Sequence, residues 1–165
     1  MARETSCCGS DPSDNGPRKL GPTVTTLSAE FRSRLTTAVG SLLPELERLS
    51  RRIHSLAELA FEETESAKLL AGALAERGFS VEVGTAGLPT AFTASFGAGP
   101  LVLAMCAEYD ALPGIGHACG HNLIAATSCG AALALADLVD DLGLSMQVIG
   151  CPAEEGGGGK QLLID

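Results

Sequence analysis

Basic residues are scarce in this chain: 11 of its 165 residues are Lys or Arg against 20 Asp or Glu, for a net charge of −9. That deficit argues against a nucleic-acid or anionic-membrane surface, since both need clustered cations. Long apolar runs are also missing. The most apolar stretches, 123–138 and 100–106, are short or broken by polar residues, so no segment reads as membrane-spanning. The first 22 residues hold no apolar stretch of the kind a secretory leader carries and are rich in Ser, Gly, Pro and Asp. A disordered tail is expected over 1–27, and a cytoplasmic location follows, with the nucleus left open. The six cysteines lack framework-like spacing, which points away from a disulfide scaffold and towards a reducing compartment. Cys7 and Cys8 fall in the tail; Cys106, Cys129 and Cys151 read as buried, inert thiols.

What remains is a globular composition, 45% apolar and 19% charged, in a chain long enough for one domain with a core. Helical spacing over 28–55 (Phe31, Leu35, Val39, Leu42, Leu43, Leu46, Leu49, Ile53) predicts a helix that Pro44 should kink or divide. A second helix is predicted over 63–77, with Leu69, Leu70, Ala73 and Leu74 buried and Gly78 as terminator. Strands are predicted over 79–83, 90–96, 100–106 and 145–150. The near-continuous apolar run at 100–106 fits a strand covered on both faces. Between the last two strands lie a glycine-rich loop at 107–120 and a small-residue helix at 122–138, for which Asn122 is a suitable cap. A further helix should begin at 160–164. This order predicts an α/β domain with a central sheet flanked by helices over 28–165, with its ligand loops after the strands at 100–106 and 145–150.

Those two loops carry the residues with chemistry. Glu108-Tyr109-Asp110 follows the apolar strand, and His117-Ala118-Cys119-Gly120-His121 lies in the glycine-rich loop. In extended backbone Cys119 and His121 project to one side, with His117 able to join them, and a thiolate with an imidazole suits zinc or a similar divalent ion. A loop histidine pair beside a buried thiol is the equal alternative. Asp110 is placed to accept a proton from a ligand imidazole and fix its orientation. Glu108 reads either as supplementary charge or, preferentially, as a solvated loop residue. Glu154 and Glu155 follow the next strand and diverge, which suits one to bind a metal and the other to take a proton from water; an acidic surface turn is the commoner fate of such a pair. Gly156-Gly157-Gly158-Gly159-Lys160 is not a phosphate loop, because Glu stands at 154 and Gln at 161.

The run Glu108-Tyr109-Asp110-Ala111-Leu112-Pro113-Gly114-Ile115-Gly116-His117-Ala118-Cys119-Gly120-His121-Asn122 resembles the metallopeptidase family M-20, which holds aminoacylases, carboxypeptidases, amidohydrolases and dipeptidases. Pro152-Ala153-Glu154-Glu155-Gly156, the stretch from Ile53-His54-Ser55 to Glu62-Glu63, and Gly87-Leu88-Pro89-Thr90-Ala91-Phe92 add to the likeness. The resemblance implies the N-terminal part of a zinc-exopeptidase-like catalytic domain with a mixed sheet, its lid and dimerisation domain absent. It implies Cys119, His121 and Glu155 as metal ligands, Glu154 as general base and Asp110 as support of a ligand. It also implies a divalent metal, zinc first and manganese as the alternative, two ions in full-length members, and homodimerisation of the longer protein. The substrate implied is a small dipeptide or N-acyl amino acid, with a basic C-terminal residue in the branch most like this chain. Several positions depart from the pattern: Glu108 replaces a usual histidine, Asn122 a frequent Asp, Leu56 and Ala57 a frequent His-Pro, and Cys151 a frequent Thr. Members continue for more than twice this length, and here no histidine follows His121. The 165-residue chain is therefore expected to be inactive, or to act by binding a partner.

Overall fold

The structure, a computed structural model, describes residues 28–164; the expected tail at 1–27, with Cys7 and Cys8, lies outside them. Helix α1, Ala29–Leu56, starts at Ser28, whose hydroxyl accepts the amide of Phe31. Pro44 lies inside it and, of the two expected outcomes, does not divide it. One backbone bond is lost there, while Leu42, Leu49 and Ile53 on either side are buried in the core. Helix α2, Thr64–Ala75, buries Ala67, Leu70, Ala71 and Leu74, so its stripe is rotated from the expected one and Leu69 and Ala73 are half-buried. At its end Gly78 takes φ +87°, and the amides of Gly78 and Phe79 reach back to Ala75 and Leu74, a bond pair that a left-handed glycine permits.

Strands β1 (Ser80–Val83), β2 (Phe92–Gly97), β3 (Leu101–Glu108) and β4 (Leu144–Cys151) form one sheet in the order β1-β2-β4-β3. The β1/β2 and β2/β4 pairs are antiparallel and β3/β4 is parallel. Helix α3, His121–Ala136, and the short α4, Val139–Leu142, connect the parallel pair, and α5, Gly159–Ile164, follows β4. Helices α1, α2 and α3 touch one another, and α2 and α3 pack on the sheet. A mixed sheet flanked by helices is thus formed, as the sequence implied.

Strand β3 departs from expectation. It lies at the sheet edge, and Leu101, Val102 and Leu103 are exposed; of its eight residues only Ala107 is buried. Cys106 is exposed for the same reason, whereas Cys129 and Cys151 are buried as expected. Asn122 does not cap α3 either. It lies within the first turn, and its side-chain amide donates to the Ser50 hydroxyl at 2.9 Å, tying α3 to α1.

The parallel register sets Glu108 opposite Cys151, so the segments leaving β3 and β4 emerge side by side. Between Glu108 and Asp110, Tyr109 turns to the opposite side and is fully buried, its hydroxyl donating to the Thr90 carbonyl at 2.5 Å. Burial first, and the charge of Glu63 second, raise its phenol above the ordinary tyrosine value, so it remains a neutral donor. Tyr109→Phe leaves a buried carbonyl unpaired and is expected to cost about 1–3 kcal/mol in urea unfolding. Burial pushes the Cys129 thiol from 9.0 up to about 12. Its folded value is the higher one, so this contribution is complete below pH 9 and declines as the pH rises towards 12. Urea midpoints measured from about pH 8 to about pH 11 should fall, and Cys129→Ala should flatten that slope.

Candidate metal centre

Three segments build the site, and each is fixed by contacts distant in sequence. The loop after β3 is anchored where the Ala111 amide meets the Glu58 carbonyl at 2.8 Å and Leu112 bridges to Gly116. His117 is part of that anchoring. Its Nε2 lies 3.1 Å from the Ile53 carbonyl, so this nitrogen carries the proton and the ring is committed to α1 rather than to Cys119 and His121. Burial lowers its pKa, the Ile53 bond opposing, which keeps the ring neutral. Gly120, at φ +79°, ends the loop and starts α3 at His121.

His121 is 3% exposed and is the centre of the cluster. Its Nδ1 lies 2.9 Å from the Asp110 carbonyl, which fixes the proton there and leaves Nε2 with a bare lone pair. The Asp110 Oδ1 stands 2.9 Å from the same nitrogen but makes no hydrogen bond to it, and is a buried oxygen without a hydrogen-bond partner. Asp110 Oδ2 accepts the Glu155 amide at 3.1 Å. Asp110 therefore orients His121 through its main chain and the β4 loop through its side chain.

Around Nε2 stand Glu108 and Glu154 at 3.6 Å and Glu155 at 3.7 Å. These separations are too long for hydrogen bonds. They match the spacing of about 3.4 Å between two atoms each about 2.0–2.2 Å from a shared tetrahedral centre. His121, Glu154 and Glu155 offer ligand atoms within 4.8 Å of one another. Cys119 is exposed and lies outside that trio, with Glu155 beside it. Glu155 first, then some desolvation and the charges of Glu154 and Asp110, raise its pKa. Of the predicted site residues, Asp110, His121, Glu154 and Glu155 thus meet, while Cys119 stands next to Glu155 but outside the trio of convergent ligand atoms.

Two further members carry no signal in their own neighbourhoods. Glu108, which reads as a solvated loop residue, has a side chain 16% exposed and faces His121. Lys160, on α5, pairs with Glu108 and stands 3.4 Å from Glu154. Partial burial works against its ammonium, but the hydrogen bond and charge of Glu108, with Glu154 behind it, outweigh that and raise its pKa. Lys160 gets there because the glycines before it allow tight packing. A Cβ on Gly157 would overlap the Phe61 ring, one on Gly159 would overlap the Pro152 carbonyl, and Gly158 has φ +64°. The glycine run is plain in the sequence, but nothing local indicates what it packs against.

Glu108, Asp110, Glu154 and Glu155 supply four carboxylates around one imidazole with one ammonium among them. An excess of negative charge, a bare imidazole nitrogen and an unpartnered buried oxygen together fit a divalent cation.

No family model matches the chain. It is similar to the Xaa-Arg dipeptidase of Mus musculus, with 38% identity over 88% of this chain and 39% of that protein. One of the p-aminobenzoyl-glutamate hydrolase chains of Escherichia coli K12 is 39% identical over 65% of this chain and 26% of its own length. In structure the chain resembles a dinuclear metal-binding peptidase of the M-20 family from Bacillus subtilis. The TM-score is 0.66 at 26% identity, over 81% of this chain and 39% of that one. The chain spans between about a quarter and two-fifths of each of these relatives. On the strength of these likenesses the chain belongs to the M-20 family of metallopeptidases.

Proposed function

We propose that residues 28–165 are the N-terminal part of a catalytic domain that hydrolyses amide bonds, and that they supply the general base and three ligands of its metal centre. Cys119, His121 and Glu155 would hold a divalent cation, zinc first and manganese as the alternative. The convergence of the bare His121 Nε2 with surrounding carboxylates carries this reading. A divalent ion supplies Lewis acidity, polarising an amide carbonyl and acidifying water.

The chain's own residues do the rest. The Glu154 side chain is 35% exposed, open enough for water to approach. It takes the proton of the attacking water and returns it to the leaving amine. The Asp110 carbonyl retains the Nδ1 proton, so Nε2 stays available as a ligand. Lys160 balances Glu108 and steadies Glu154.

The substrate class we infer is a small dipeptide or N-acyl amino acid. The likeness to an Xaa-Arg dipeptidase over 88% of the chain favours a basic C-terminal residue. Two ions, homodimerisation and a cytoplasmic location are our reading for a longer protein built on this domain. A second reading, binding without catalysis, is favoured by the exposed Leu101, Val102 and Leu103 on an edge strand.

Three protein ligands suffice for one zinc and not for two. Elemental analysis of the purified chain after zinc loading and desalting should therefore give about one ion, and Cys119→Ser should lower that occupancy. Glu154→Gln should leave it unchanged. Hydrolysis of dipeptides ending in Arg or Lys by the 165-residue chain should be slight. Rapid turnover abolished by Glu154→Gln would overturn the expectation of inactivity, and zinc uptake unaffected by loss of both Cys119 and His121 would sink the site.

A further inference from the structure

Glu63 is a fully buried acid outside the proposed ligand set. It immediately precedes α2, where a side chain usually caps the helix, yet it makes no cap bond. Glu58 caps instead, its carboxylate oxygens accepting the amides of Glu65 and Ser66 at 2.9 and 2.8 Å. Glu63 turns from its own helix. Its Oε1 accepts the amide of Ala153 at 2.8 Å, 90 residues further along the chain. Its Oε2 is buried without a hydrogen-bond partner. A half-satisfied buried carboxylate costs stability, and an apolar residue of the same volume would cost less.

Ala153 immediately precedes Glu154 and has φ +53°, a left-handed conformation that a non-glycine residue adopts only under constraint. Its carbonyl accepts the amides of Gly157 and Gly159 at 3.2 and 3.3 Å. Two residues on, the Glu155 amide is held by Asp110. Buried carboxylates thus grip both ends of a three-residue segment whose middle residue is the proposed base.

We propose that Glu63 is a positioning residue: by holding the Ala153 amide it keeps this residue left-handed and so aims Glu154 and Glu155 at His121, a role that rests on the reading of those two glutamates as base and ligand. Glu63 itself meets none of the reacting atoms. Without an acceptor at this point, Ala153 relaxes towards negative φ and the two carboxylates swing away from the imidazole.

The test compares the 165-residue chain with Glu63→Met, Glu63→Gln and Glu58→Ala. Zinc affinity is followed by calorimetric titration, and exchange of the Ala153 amide by NMR. Glu63→Met keeps the volume and removes the acceptor. It should bind zinc about 10–100-fold more weakly, as loss of a supporting partner does, and exchange Ala153 faster. Glu63→Gln retains an acceptor oxygen and should recover most of the affinity. Glu58→Ala should lower thermal stability through α2 and leave zinc binding intact. The proposal is overturned if Glu63→Met binds zinc as tightly as the parent with Ala153 still protected, or if Gln does no better than Met. Should the parent take up no zinc, the metal reading fails. Fast Ala153 exchange in Glu63→Met would then still uphold the anchoring by Glu63, and unchanged exchange would overturn it.

Discussion

Asp110 joins the parts of this site that belong to different segments. It lies just beyond the end of β3 and is 2% exposed. Its carbonyl fixes the imidazole that opens α3, and its carboxylate fixes the amide of Glu155 beyond β4. Remove those bonds and the histidine loses its defined tautomer while the paired glutamates lose their tie to the strand beside them. The cost of this arrangement is charge, since four carboxylates face one imidazole ring. Such crowding persists in a folded protein where a cation compensates it, and Lys160 supplies part of that compensation.

The sheet makes the convergence possible. In a parallel pair both strands end on the same side, so segments separated by a whole helix emerge as neighbours. Alternation along the extended backbone then divides the labour within three residues. Tyr109 points into the core and donates to the Thr90 carbonyl, while Glu108 and Asp110 face the site. The rigid anchor and the reactive groups are therefore covalent neighbours. The same logic recurs beyond β4, where Ala153 is bound by a buried acid and the next residue is left to face water.

Element order, a central sheet flanked by helices and the meeting of Asp110, His121, Glu154 and Glu155 are legible in the sequence. They depend on local pattern: apolar runs ending in polar loops, and residue types whose chemistry is distinctive at short spacing. Other features depend on partners far along the chain. Nothing near Asn122 indicates that it reaches Ser50, and nothing near His117 indicates the Ile53 carbonyl. Glu63 reads as an ordinary acid at a helix start because its partner Ala153 lies 90 residues away, while Glu58 caps the helix. Lys160 reads as the end of a failed phosphate motif, whereas its glycines serve close packing against Phe61 and Pro152. The apolar run of β3 suggests cover on both faces, but composition alone does not distinguish an interior strand from an edge strand with exposed leucines.

Stability and chemistry are opposed at the same atoms. Asp110 Oδ1 and Glu63 Oε2 are buried and unpartnered, and Ala153 is held left-handed. Each feature lowers stability, and each belongs to the network that holds the proposed base and ligands, where local rules are expected to be broken for function. A ligand that binds the folded chain and not the unfolded one returns stability according to its concentration and affinity. Its attachment points here would be a thiol before α3, an imidazole at the start of α3 and a carboxylate beyond β4. A cation bridging them would therefore cross-link segments that are otherwise joined mainly through Asp110, so that fold and metal site each stabilise the other.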